Sequence, residues 1–366
     1  MKFLLVSPLT SASGSAIRFW NIAQALAERG HRVVYAERKA GHASQLHACK
    51  GVIYYACPSS GIMALDMVLS MLFYIVVFLR HIDCDIFYAL KPAPNNCTVA
   101  LAAKLLAKKV VLDVDDLDYA YLPGAGSRRL LRFFFDRFPR MFPLVTYHTP
   151  SLRQYLITYA HVSEERLHYL AQGVSAQFVS QGAVSVAPDP DPLSLLYVAT
   201  LGITSDFGDI VEPLASLLHR FPGAHMSVAG DGCRRGEFER SVREAGIGDR
   251  VRFIGTVEHS ALPSLVAAHR IGINYMRPTE VNQCRAILKI REYLACGLDV
   301  VCNNVGDVEL FGEYIHVEPD IDAMFRTVAT LLCNPARRNR EAIDFIRREF
   351  NWSSIVAEFE SILLKV

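Results

Sequence analysis

Short apolar runs alternate along this chain with stretches whose apolar residues recur at helical spacing, beginning at the second residue. KFLLVS reads as a strand. In the SASGSAIRFWNIAQALAERG that follows, Ile17, Trp20, Ile22, Ala25 and Leu26 keep roughly to one helical face, and Gly30 ends the helix. HRVVYAE is the next strand. CDIFYAL and VVLDV are the third and fourth, joined by a helix over NNCTVALAAKLLAKK, and a helical stretch at about 127–141 precedes LVTYHT. Strand followed by helix, repeated, predicts a parallel sheet covered by helices.

The texture changes at 183–192, where AVSVAPDPDP has three Pro within five residues and neither period, as a linker does. A second series follows. LSLLYVA, AHMSVAG, RVRFIG, IGINYM and LDVVCNN are its strands, with helices at 208–220, 235–246, 260–269 and 285–296, and a last helix at about 352–365 lies beyond the second sheet. The pattern predicts two α/β, Rossmann-like domains, 1–184 and 193–350, with residues 351–366 as a terminal helix. Two such domains in tandem place a cleft between them, and open parallel sheets bind ligands beyond the carboxyl ends of their strands.

Composition narrows the function. A length of 366 residues suits two domains, and 51% hydrophobic residues with 20 Phe argue for large cores. A net charge of +1 gives no reason to expect nucleic-acid binding. None of the nine Cys falls in a CxxC pair or a zinc-like spacing with His, which fits free thiols in a reducing cytosol. The N-terminal apolar run is too short for a secretory signal. Ile62 to Leu79 is 18 residues long but interrupted by Asp66, so a buried or membrane-surface helix is expected rather than a spanning one. SRRLLRFFFDRFPRMF, at 127–142, interleaves five Arg with five Phe. It reads either as an amphipathic stretch lying on an anionic membrane or as a domain helix with Phe inward.

Candidate chemistry sits in the loops after strands. Gly230–Asp231–Gly232 permits close approach to a ligand. Gly14 and Ser15 open a helix, whose N-terminus favours anions. Asp113, Asp115 and Asp116 form a tight acidic set in VVLDVDDLDY. It leaves three readings open: acceptor or sugar binding by Asp115 or Asp116, a divalent metal, or a helix cap. The chain has no GxGxxG, so a dinucleotide cofactor is not supported.

LLYVAT, HMSVAGDG, GDRVRFIGTVEHSALPSLVAAHRIGINYMRP and KIREYLACGLDVVCNNVGDVELF together resemble the C-terminal domain of retaining GT-B glycosyltransferases. The similarity is to the bacterial group called family four, or glycosyl transferases group one. GSAIRFWNIAQALAERGHRVVY resembles that family's first glycine loop and helix, YLAQGVSAQFV its segment before the linker, and NWSSIVAEFESIL its C-terminal crossover helix. Nearly the whole chain is covered.

The resemblance implies transfer of a sugar from a UDP- or GDP-sugar to an acceptor hydroxyl, with retention of configuration and no metal or other cofactor. It makes Glu292, in KIREYLACG, the ligand of the donor ribose, with Gly297 capping its helix. It places Gly202, Gly230, Gly232, Ile254, Gly255, Asn304, Gly306 and Glu309 around the donor, and Gly14 and Ser15 near its phosphate. Asp115 takes the place of a His that many relatives have at the reaction centre, so Asp115, Asp116 and Lys289 are the expected catalytic residues. The loop TLGITSDFGD lacks the family's usual phosphate-binding cations, which leaves Lys289 and Arg285 for that role, with Arg277 nearby. Cys284 stands where the family has a second Glu on the donor sugar, and Glu280 is four residues further back. The implied setting is the cytoplasm, with contact to the inner membrane face through 62–79 and 127–142 and a carbohydrate or lipid-linked acceptor in glycoconjugate synthesis. A sugar-nucleotide-binding protein without catalysis, or an epimerase of the same architecture, is the alternative.

Overall fold

A computed structural model describes residues 1–10, 13–39, 49–122, 124–179 and 190–365. The chain divides into two compact units, one of Met1–Gly173, Cys284–Ala286 and Trp352–Val366, the other of Val174–Gln283 and Ile287–Asn351.

The first unit is built on seven parallel strands: β1 (Lys2–Thr10), β2 (Arg32–Arg38), β3 (Val52–Cys57), β4 (Ile86–Leu90), β5 (Lys109–Asp113), β6 (Leu144–Tyr147) and β7 (Leu167–Tyr169). Their order is β3-β2-β1-β4-β5-β6-β7. The connecting helices are α1 (Gly14–Glu28), α2 (Met63–Arg80), α3 (Pro94–Leu105), α4 (Ala125–Arg137) and α5 (Pro150–Thr158). The central strands are apolar on both faces because helices cover both, so Phe3 to Val6 and Ile86 to Leu90 are fully buried. The Ser13 side chain accepts from Ala16 N–H and caps α1.

The second unit opens with a short helix, α6 (Ala176–Val179), and has six parallel strands: β8 (Asp191–Val198), β9 (His225–Ala229), β10 (Val251–Gly255), β11 (His269–Asn274), β12 (Asp299–Asn303) and β13 (His316–Glu318). Their order is β10-β9-β8-β11-β12-β13. Its other helices are α7 (Val211–Arg220), α8 (Arg235–Glu244), α9 (Leu262–Ala267), α10 (Glu280–Gln283), α11 (Leu288–Ala295), α12 (Ile321–Cys333) and α13 (Arg340–Glu349). The last helix, α14 (Trp352–Leu363), belongs to the first unit. Trp352, Ile355, Val356, Phe359 and Leu363 recur on one face and join the core of Phe3, Leu5, Phe19 and Tyr88. Each sheet reverses its strand order once, between β1 and β4 and between β8 and β11, and ligands of such sheets bind at those reversals.

Several elements differ from the sequence reading. Strands β3, β7 and β13 and helices α5, α12 and α13 lie outside the predicted elements, and β7 and β13 are three residues each, too short to show a period. The expected helix at 285–296 is broken. Residues 284–287 stand between α10 and α11, with the Ile287 N–H held by Asp307 Oδ1 at 3.0 Å. The helix expected to 141 stops at Arg137 and gives way to a single turn at Pro139–Met141, because proline interrupts the hydrogen-bond ladder. The linker expected at 183–192 lies outside the described residues up to 189, and Asp191 and Pro192 already begin β8. Helix α2 packs on the sheet through buried Tyr74, Val77 and Phe78. Among the described residues no helix is long and apolar enough to cross a membrane.

Candidate functional site

In the second unit the loops after β8, β9 and β10 are stitched together by main-chain hydrogen bonds. Ala199 N–H donates to Ala229 O, Leu201 N–H to Asp231 O, and Gly230 N–H to Gly255 O, all at 2.8–3.0 Å. This brings Gly202, Gly230, Gly232 and Gly255 to the carboxyl ends of neighbouring strands, with Ile254 half-buried beside them. Gly230 has φ +136°, and a Cβ there would lie 1.8 Å from the Ala199 carbonyl oxygen, so only glycine fits.

Glu292 lies in the middle of α11. The Tyr293 hydroxyl accepts from Val198 N–H at 2.9 Å, tying the helix to the end of β8, and its ring covers Gly272 on β11. On the other side Arg291, fully buried, is paired with Asp307 and lies 4.9 Å from the rings of both Phe311 and Phe350. Asp307 also holds Ile287 N–H, so the start of α11 and the loop after β12 are fixed by one carboxylate. Gly297, at φ +75°, ends the helix, with Leu298 N–H bonded to Tyr293 O.

Held this way, Glu292 is 5% exposed and has no hydrogen-bond partner among the described residues. Burial pushes its carboxyl up to about 8, against the weaker opposing pull of Lys289. A buried carboxyl without a donor is costly, and such perturbed groups concentrate at functional sites. Lys289 lies 5.5 Å over the Tyr197 ring. The loop carrying Asn304 and Gly306 is fastened by Gln283, whose side chain donates to Asn304 O and accepts from Gly306 N–H, each at 3.2 Å. Glu280 and Glu309 are exposed.

In the first unit the acidic residues after β5 separate by role. Asp113, fully buried, pairs with Arg18 at 3.1 Å and accepts from Thr146 Oγ1 at 2.6 Å. Arg18 also donates to Leu170 O and Ala171 O, so this pair joins α1, β5 and the end of β7. It is a structural tie. Asp115, 5% exposed, lies 3.1 Å from the Lys91 ammonium, which also reaches Asp118 at 2.5 Å. Burial opposes ionisation of Asp115, but Lys91, with His148 and Arg18 further off and the Ser15 hydroxyl as donor, holds its carboxyl below the ordinary value. Asp118 is shifted upward by burial and the neighbouring carboxylates. Asp116 accepts from Leu117 N–H at 2.8 Å rather than capping a helix, and takes Arg285 at 3.5 Å.

Arg285 is therefore counted in the first unit, beside Asp116 and 5.1 Å over Tyr121, whereas Lys289 belongs to the second. Arg277 is held by Asp209 at 2.6 Å. Ser15 reaches Asp115, and Gly14 opens the same helix turn. Cys284 is buried at 2% exposure, with its carbonyl accepting from Thr149 Oγ1. All nine cysteines are free thiols. Among the described residues no group of three or more His, Cys, Asp or Glu could hold a metal ion.

Sequence reasoning missed Lys91, Arg18, Arg291, Asp307 and His148. For Lys91 and Arg18 the available signal was a single charge inside an apolar segment, as in YALKPAP and AIRFWNIA.

Residues 192–334 match the family model described as Glycosyl transferases group 1, and residues 12–178 match Glycosyltransferase Family 4. Among curated proteins the chain is 27% identical over 182 residues to a component of the phosphatidylinositol N-acetylglucosaminyltransferase of Arabidopsis thaliana, covering 49% of this chain and 40% of that protein. It is 24% identical over 185 residues to glycogen synthase of Mycobacterium tuberculosis, covering 48% and 44%. The matched stretch thus spans less than half the length of either relative. Sucrose-phosphate synthase from Thermosynechococcus elongatus has the same fold, with a TM-score of 0.73 at 16% identity over 100% of this chain and 99% of that one. So does Anabaena HepE, solved in complex with UDP and glucose, with a TM-score of 0.71 at 17% identity over the full length of both.

Proposed function

The chain belongs to the group 1 glycosyl transferases of GT-B fold, and on that footing we propose that it moves a sugar from a nucleoside diphosphate sugar to an acceptor hydroxyl. The donor nucleotide is bound by the second unit and the acceptor by the first. The observation that carries this reading is Glu292: a buried carboxyl, locked by its neighbours and without a donor among the described residues. A vicinal diol supplies two O–H donors to one carboxylate, which is what this group lacks. The glycine loops at 202, 230–232 and 255 offer backbone approach to the rest of the donor, and Lys289 a charge for its phosphates.

The leaving group is a diphosphate, so stabilising its growing negative charge is the main chemical task. Lys289 and main-chain N–H groups of the glycine loops serve that task, and Asp115 or Asp116 receives a sugar hydroxyl. UDP-sugars are the first donors to try, because HepE of the same fold is solved with UDP and glucose. Retention of configuration follows from the resemblance. Incubation with labelled UDP- and GDP-sugars tests the reading: transfer or slow hydrolysis supports it, and absence of nucleotide binding ends it. Saturable binding without turnover favours a binding protein instead, a reading supported by the buried thiol of Cys284 in the place of a sugar-binding carboxylate.

The first unit also carries a surface suited to a membrane-bound acceptor. Leu65, Val68, Leu69, Leu72, Val76 and Leu79 are 39–63% exposed and fall on one face of α2. On α4, Leu130 and Phe133 are exposed beside Arg128 and Arg129, while Phe135 is buried. We assign these faces to the inner surface of the cell membrane. Arg132 is already held by Asp136 and lies near the rings of Tyr119 and Tyr159, so Arg128 and Arg129 are the cleaner probes. Cosedimentation with anionic vesicles that weakens on Arg128→Ala/Arg129→Ala supports the assignment, and no sedimentation removes it.

A further inference from the structure

One buried charged group in the first unit, Lys91, has no part in the reaction proposed above. Lys91 follows β4, directly at the reversal between β1 and β4, where this class of sheet binds ligands. It is 1% exposed, yet lysine is among the residues least often fully buried. Its backbone is left-handed, at φ +62°, a region non-glycine residues enter rarely and mostly where the surroundings impose it. Main-chain bonds impose it here: Lys91 N–H donates to Asp113 O at 2.7 Å and Ala93 N–H to Lys91 O at 2.9 Å. The turn directs the side chain to Asp115 at 3.1 Å and Asp118 at 2.5 Å.

We propose that Lys91 is a positioning residue for Asp115: it anchors one carboxylate oxygen and leaves the remaining acceptor capacity to Ser15 and to a hydroxyl of the sugar substrate. This rests on the reading of the chain as a glycosyltransferase, with Asp115 at its substrate. A carboxylate that must accept from a hydroxyl has to be ionised and held still, and burial alone would neutralise it. Lys91 supplies the opposing charge. Asp118 shares the ammonium and fixes Lys91 by a second ion pair. Groups facing the Asp115 carboxyl from other elements are His148 at the end of β6, Arg18 and Ser15 on α1, and Asp116 and Asp118 on its own loop.

Two measurements test this on the full chain. The first needs no turnover: the carboxyl-carbon resonance of Asp115 in carbon-13 aspartate-labelled protein, assigned with Asp115→Asn, is followed against pH. It stays in the ionised position through pH 5 in the wild type and moves toward the protonated position in folded Lys91→Met. A wild-type resonance already protonated at pH 5 overturns the proposal, whether or not the chain transfers sugar. The second is the pH profile of kcat/KM. Lys91→Met moves the acid limb upward by about one unit or more, a loss of about tenfold at the acid end that shrinks at higher pH, with nucleotide affinity unchanged. Lys91→Arg keeps the wild-type limb. A uniform loss with no movement of the limb marks Lys91 as structural only and overturns the proposal. Should Lys91→Met not fold, Asp118→Asn decides: with the whole ammonium left to Asp115 its limb lies at or below that of the wild type, and an upward movement overturns the assignment. Loss of nucleotide binding in the wild type would instead overturn the glycosyltransferase reading.

Discussion

At the carboxyl end of the first sheet, Asp113 is paired with Arg18, Asp115 and Asp118 with Lys91, and Asp116 with Arg285. In the second unit Glu292 is as deeply buried, and among the described residues only the charge of Lys289 acts on it. Each carboxylate of the first site already has a cation beside it within the protein. The second has no hydrogen-bond donor among the described residues. Burial alone thus does not say what a charge is for. A buried carboxylate with a fixed cation is part of the scaffold or preset for a substrate, whereas one without partners is maintained against its own desolvation cost.

The most severe test of that contrast is in the first unit. Asp113→Ala leaves Arg18 buried without its counter-charge and costs about 3–5 kcal/mol of folding stability, read by denaturant unfolding. Glu292→Gln does the opposite. It leaves stability unchanged or raised but weakens nucleotide binding by about 10- to 100-fold, the worth of hydrogen bonds to a charged acceptor, read by calorimetric titration. If both substitutions cost stability alike, the distinction between the two regions is lost.

Protons give a finer test. Ribose hydroxyls favour the charged form of Glu292, whose carboxyl is up at about 8 without ligand. Binding therefore releases a proton, and affinity rises with pH through 7 to 8, by about tenfold per unit at most. Without ligand, the folded chain holds this proton between the ordinary value of 4.5 and about 8, where the unfolded chain does not. Its contribution to stability therefore falls as pH rises through that window. Glu292→Gln flattens both dependences, and an unchanged pH slope in that variant would assign the proton elsewhere. The smallest effect belongs to the outer face of α2: Leu72→Ser/Val76→Ser shifts stability by no more than about 0.5 kcal/mol per site while reducing sedimentation with vesicles.

Much of this was readable from the chain. The strands that form both sheet centres, the helices α1 and α3 and the Gly297 cap all follow from period and from local motif. The short strands β7 and β13 were not, because three residues carry no period. The break before α11 was not, because what holds residues 284–287 out of a helix comes from elsewhere: Asp307 on Ile287 N–H and Thr149 on the Cys284 carbonyl. The acidic set after β5 looked like one cluster with three possible uses. Only packing divides it, since Arg18 and Lys91 reach it from 95 and 24 positions away in the chain.

The two-sheet architecture and the family were written in the chain itself. Those are properties of local pattern, set by which side chains can be buried together on one face. Which charges are spent on each other, and which remain available, was settled only by packing. Ionisation of a buried group depends on what surrounds it in space, and here those surroundings are supplied by Lys91, Arg18, Arg291 and Asp307, residues that their own sequence neighbours do not explain.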